Sequence, residues 1–130
     1  MKTLVLALAL ADAAALEESI GQKLGRPYVW GASGVRSYDC SGFVWRAFLD
    51  AGVLFKRTTA RKLYFSLPAA TGEQRSRFGT LVFFDQVHHV GIVRNGDEFY
   101  HASTSHGTRR ESFGPYWRRL VSGWRSIGGP

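Results

Sequence analysis

The sequence predicts an α+β domain, helical in its N-terminal half with an antiparallel sheet after it. Two observations carry this. Apolar residues recur at helical spacing up to about residue 68, after which the period shortens to that of strands. The strand-like runs are joined by short turns rather than crossover helices, the pattern of a meander. With 130 residues, 45% of them apolar and 14% aromatic, the chain can bury about two-thirds of its unfolded surface around one core. That composition excludes intrinsic disorder. No repeat, low-complexity tract or charged linker divides the chain, so one domain is expected over residues 1–130.

A first helix is expected over residues 3–24, rich in Ala and Leu, with Gly25 and Pro27 to end it. Residues 1–15 (MKTLVLALALADAAA) also sketch a weak export signal, with Lys2, a short apolar stretch and Ala-x-Ala triplets. Asp12 interrupts that stretch, and Glu17, Glu18, Gln22 and Lys23 continue a helical pattern. This favours a helix over residues 1–23. The second helix begins after Asp39, a good N-cap. Phe43, Val44, Ala47, Phe48 and Ala51 form its apolar face, and Gly52 stops it. A short third helix is expected within residues 56–68. Three strands follow, at 80–84 (TLVFF), 89–93 (HVGIV) and 98–102 (EFYHA), with turns at 85–88 and 94–97.

No run reaches the ~18 apolar residues that a membrane span needs. The formal charge is +7, and residues 101–130 hold Arg109, Arg110, Arg118, Arg119 and Arg125 against Glu111 alone. Such a surface attracts polyanions, whether nucleic acid, anionic lipid headgroups or anionic wall polymers, and the sign of the charge does not choose among them. No nucleic-acid-binding signature accompanies the arginines, so no nucleic acid is expected as partner.

Three residues stand out chemically. Cys40 is the lone cysteine, so it forms no disulfide within the chain. It falls one residue inside a helix N-terminus, where unpaired N–H groups and the helix dipole favour a thiolate. His89 opens one strand and His101 closes the next. With a three-residue Arg94-Asn95-Gly96 loop, Gly96 takes positive φ and His89 lies directly opposite His101. A two-residue Asn95-Gly96 turn would put them on opposite faces. On one face, one imidazole can take the thiol proton while the other orients it. His88 should point away from His89 along its strand, and His106 falls in the loop at 103–107; neither is expected to act. Zinc held by Cys40, His89 and His101 is a further arrangement, but the close paired spacing of common zinc motifs is missing.

The runs RPYVWG (26–31), YDCSGF (38–43), LVFF (81–84), HVGI (89–92) and FYHAS (99–103) together resemble the NlpC/p60 cysteine peptidases. The resemblance covers about residues 24–124. The later STSHG and PYW are most similar to the family's murein endopeptidase branch. It implies a papain-like fold, with helices on a small antiparallel sheet, and hydrolysis of peptidoglycan peptides through a Cys-His-His triad and an acyl-enzyme. Cys40 would be nucleophile, His89 the base and His101 its orienting partner. Tyr28 would line the oxyanion site, and Ser41 would contact substrate. No metal or cofactor is implied, and a monomer acting in the bacterial envelope is expected. Two departures stand out: Thr80 replaces an Asp before the first strand, and Ala32 replaces a second Gly after Trp30, which could narrow the approach to the site. A wall-binding or phage-tail module of the same fold, or a thiol acyltransferase, would be the alternatives.

Overall fold

The computed structural model describes residues 10–34 and 36–127. In chain order it comprises α1 (Leu10–Gly21), α2 (Cys40–Asp50), α3 (Ala60–Ser66), a 3-10 helix (Gly72–Ser76) and β1 (Leu81–Phe84). Then come β2 (His89–Val93), β3 (Glu98–Ser103), β4 (Gly107–Ser112), α4 (Pro115–Leu120) and β5 (Val121–Arg125). The first helix is present from Leu10; the expected residues 3–9 lie outside the described residues. The third is shorter than expected, because Thr59 caps it by accepting from the Lys62 N–H.

The strands form an antiparallel sheet in the order β4-β3-β2-β1-β5. Leu81, Phe83, Val90, Ile92, Tyr100 and Ala102 face the helices, where Leu16 and Ile20 of α1 and Phe43, Val44 and Phe48 of α2 are buried against them. The α1 contact is also polar: Ser19 donates to the Ala47 carbonyl, and buried Lys23 pairs with Asp50 at 2.8 Å. Val82, Phe84, Val93 and Phe99 fill the other face, with Phe113, Trp117, Leu120, Val121 and Trp124. The sheet is therefore buried on both sides, which explains why TLVFF and HVGIV read as near-continuous apolar runs. Only the central strands carry a signal that sequence periodicity detects. β4 buries just its first two residues, β5 is half-buried throughout, and α4 has six residues. These three elements were not expected.

The β2–β3 hairpin differs from the expected register. Ile92 pairs with Tyr100 and Val93 with Phe99, so the loop centres on Gly96 and His101 falls opposite Gly91. His89 and His101 still share a face, as diagonal neighbours. Gly96 does not have positive φ. The Asn95 side chain makes the turn instead, accepting from the Asp97 and Glu98 N–H groups at 2.8 and 3.0 Å. Gly91 is needed for close approach, since a Cβ there would meet the Tyr100 carbonyl oxygen at 2.7 Å.

Glycine substitutions should separate these requirements. Gly96→Ala, whose new methyl meets only Ser76 at 3.7 Å, should leave the urea midpoint almost unchanged. Gly42→Ala, whose Cβ would run into the Ala32 carbonyl oxygen, should cost roughly 2–3 kcal/mol. A Gly96 variant as unstable as the Gly42 variant would contradict this assignment of the turn.

Candidate active site

Two elements that begin at the same end of the sheet build the site. Cys40 is the first residue of α2, and His89 the first of β2. Asp39 fixes the helix start as its N-cap, accepting from the Gly42 N–H at 2.6 Å through one oxygen and from the Gly31 N–H at 2.9 Å through the other. Arg57 braces the capping oxygen at 3.2 Å. One carboxylate thus ties the RPYVWG segment to the DCSG helix. His89 is set by an unusual turn: Asp85, Gln86 and Val87, none of them glycine, all have left-handed φ of 53–60°. The turn brings the His88 carbonyl within 3.9 Å of the Cys40 sulfur.

A cleft of about 580 Å³ opens here, lined by Tyr28, Trp30, Cys40, His89, His101 and Trp117 among others. On its wall His89 Nε2 lies 2.8 Å from His101 Nδ1, and His101 Nε2 lies 3.2 Å from the Glu111 carboxylate. Trp117 packs against both rings, with centroids 5.0 Å from His101 and 5.9 Å from His89. The ring nitrogens bonded to each other are not open to a shared metal, which removes the geometric basis of a Cys40–His89–His101 zinc site.

The structure brings Cys40, His89, His101 and Tyr28 into one cleft and leaves Ser41 out of it. The Ser41 hydroxyl is buried behind the helix start, accepting from Arg57 at 3.0 Å and lying 3.5 Å from Asp39. Ala32 does not line the cleft either; its carbonyl backs Gly42 and accepts from Asp39 N–H, so the expected narrowing does not arise. Thr80 donates to the Gln74 carbonyl and anchors the 3-10 helix. His88 belongs to the turn rather than the strand, and its ring sits on the cleft rim with Nδ1 2.9 Å from the Asp85 carbonyl oxygen. His106 is exposed beside Ser105. Sequence reasoning missed Glu111 and Trp117 as site residues. Trp117 belonged to a quoted motif, whereas Glu111 carried no signal beyond its charge.

The electrostatics reverse one expectation. Burial pushes the Cys40 thiol up to about 11, with the Asp39 charge adding to it, against backbone hydrogen bonds from Val90, Ser41 and Cys40 itself. Burial is the larger cause and the cap the second. The anion site at the helix start is already filled by Asp39, so the field expected to favour a thiolate is spent on a carboxylate. Burial lowers His89 to about 3, helped by His101, and lowers His101 to about 4, helped by Arg109 and His106. The resting site is a neutral thiol beside neutral imidazoles.

The NlpC/P60 family model matches residues 25–126, which include every residue of the cleft wall named above. The chain belongs to the NlpC/P60 family. Among curated relatives, the murein DD-endopeptidase MepH of Escherichia coli is 34% identical over 115 residues, covering 82% of this chain and 42% of that protein. The probable endopeptidase p60 of Listeria innocua is 29% identical over 107 residues, covering 80% of this chain and 22% of its own length. This chain thus spans less than half of either relative. An NLP/P60 family protein similar to lipoprotein from Staphylococcus aureus superposes with a TM-score of 0.80 at 25% identity, over 93% of this chain and 43% of that one. The α+β fold with helices on an antiparallel sheet is that of the NlpC/P60 domain.

Two measurements follow from the charges. Both histidines bind protons near pH 6.5 when unfolded but only near pH 3–4 when folded. Stability should be full above pH 6.5 and fall below it by about 1.4 kcal/mol per pH unit for each histidine. Urea unfolding at pH 7 and pH 5 reads this, and a His89→Gln/His101→Gln variant should show a flatter profile; equal slopes would contradict it. Asp39→Asn keeps an acceptor at the cap but removes the charge. Its thiol should titrate lower and alkylate faster between pH 7 and 9, and a slower reaction would refute the role given to Asp39.

Proposed function

We propose that this chain is a cysteine peptidase that hydrolyses amide bonds in the peptides of peptidoglycan. The bond is either D-glutamyl–diaminopimelate within a stem or D-alanyl–diaminopimelate at a crosslink. One observation carries the reading: a thiol at a helix start shares an open cleft with a hydrogen-bonded imidazole pair. The names of the endopeptidase relatives, one of them a murein enzyme, support the substrate class. That substrate places the work in the cell envelope, and the net positive charge suits an anionic wall.

In this reading the Cys40 sulfur attacks the amide carbonyl carbon as its proton passes to His89. The Nε2 of His89 is engaged with His101, so Nδ1 takes that proton. With both groups neutral at rest, proton transfer accompanies attack instead of preceding it. The oxyanion forms beside the Cys40 backbone N–H, in a helical turn that lacks intrahelical acceptors for its N–H groups, and beside the Tyr28 hydroxyl. His89 then protonates the leaving amine. Water, deprotonated by His89, cleaves the thioester and restores the thiol. Packing of Trp117 on both rings keeps them aligned.

Purified peptidoglycan tests the proposal, with new amino termini counted and the released muropeptides weighed by mass spectrometry. Wild-type chain should yield new termini at one bond type. Cys40→Ser should yield none while keeping its circular dichroism, and His89→Ala should lose about 10²–10⁴-fold. EDTA should change nothing, since a thiol–imidazole pair needs no Lewis acid. Products from the serine variant, or zinc-dependent recovery after EDTA, would overturn this chemistry.

A further inference from the structure

Glu111 lies on β4 directly opposite Phe99, which places its carboxylate diagonally across from His101. One carboxylate oxygen is 3.2 Å from His101 Nε2 and 3.5 Å from Arg109 Nε. The His101 side chain is almost fully buried, at 1% exposure, while Glu111 is partly exposed at 23%. The three groups His89, His101 and Glu111 form an unbroken hydrogen-bonded line along the cleft wall.

The chemistry of that line has a direction. A carboxylate only accepts, so the proton in its contact with His101 sits on His101 Nε2. A neutral imidazole carries one ring proton, which leaves His101 Nδ1 as an acceptor. The 2.8 Å contact then needs its proton on His89 Nε2, and His89 Nδ1 keeps a lone pair. Reversing the line would put a proton on His101 Nδ1, make His89 Nε2 the acceptor and leave the one His89 proton on Nδ1. That ring could not take a proton from the thiol. The His89–His101 pair alone satisfies its mutual contact in either direction; only the terminal acceptor breaks the tie.

We propose that Glu111 is a positioning residue that sets the tautomer of His89 through His101, and so makes His89 Nδ1 the base. The proposal rests on the peptidase reading of the cleft for its kinetic consequence, but its structural content is independent of turnover. Arg109 serves the same end by pairing with the carboxylate and disfavouring charge on His101.

Nitrogen-15 NMR of the histidine rings tests this directly. In the wild-type chain at pH 7, His89 and His101 should both carry their proton on Nε2. Glu111→Ala should move a large share of both rings to the Nδ1-protonated form. If 90–99% of molecules hold the wrong tautomer, kcat falls about ten- to a hundredfold with little change in KM. Glu111→Gln, whose amide oxygen still accepts from Nε2–H, should restore the wild-type ring pattern and most of the rate, which a loss through charge alone would not. A wild-type His101 protonated at Nδ1, or a Glu111→Ala variant with unchanged rings and unchanged kcat, would overturn the proposal. Rings that follow Glu111 in a chain that never cleaves peptidoglycan would instead overturn the peptidase reading and leave this one standing.

Discussion

The site hangs on the Asp39 carboxylate. Its two oxygens hold the first turn of α2 and the Gly31 backbone, and Arg57 holds the carboxylate in turn. Take this group away and three segments lose their common anchor: the strip that carries Tyr28 and Trp30, the helix that begins with Cys40, and the extended run before α3. A carboxylate at an N-cap contributes about 0.5–2 kcal/mol to a helix. Here the same atoms also fix where a sulfur lies relative to a sheet. Gly42 belongs to this arrangement, because the Ala32 carbonyl occupies the space that a side chain would need.

That anchor shapes the chemistry as well as the geometry. A helix start offers a small positive field, and a negative group set there first takes most of it. With burial of the sulfur added, the thiol is held protonated and half-buried beside an imidazole too poorly solvated to charge. A thiol kept in this form is protected from stray oxidation, since thiolates are the reactive form.

Much of the fold was legible because the central elements are amphipathic or wholly apolar. Asp39 and Gly52 bounded α2 correctly, and TLVFF and HVGIV could hardly be anything but buried strands. The hairpin was half legible. Parity put both histidines on one face, but the loop centre fell one residue later than expected, because Asn95 closes the turn with its side chain and Gly96 needs no special backbone angle. β4 and β5 were hidden by their position at the sheet edges, where alternate residues meet water and polar sequence is normal. Glu111 was hidden for the same reason. It reads as one acid among arginines, and its meaning comes from Phe99, the residue it faces across the sheet. Arg109, Arg110, Arg118 and Arg125 were counted as a basic surface, yet each is engaged within the chain, by Glu111, Glu98, the Phe113 carbonyl and the Tyr64 carbonyl respectively.

The path of the chain after β4 bears on how the protein comes into being. α4 carries Trp117 back across the histidines, and β5 then travels to the far edge to pair with β1. The cleft wall is therefore finished by the segment that follows the whole central sheet in chain order. A ribosome-bound chain that has already presented Cys40, His89 and His101 still has an uncovered imidazole pair and an open β1 edge. Closure waits until residue 125 has emerged, well after the residues it covers.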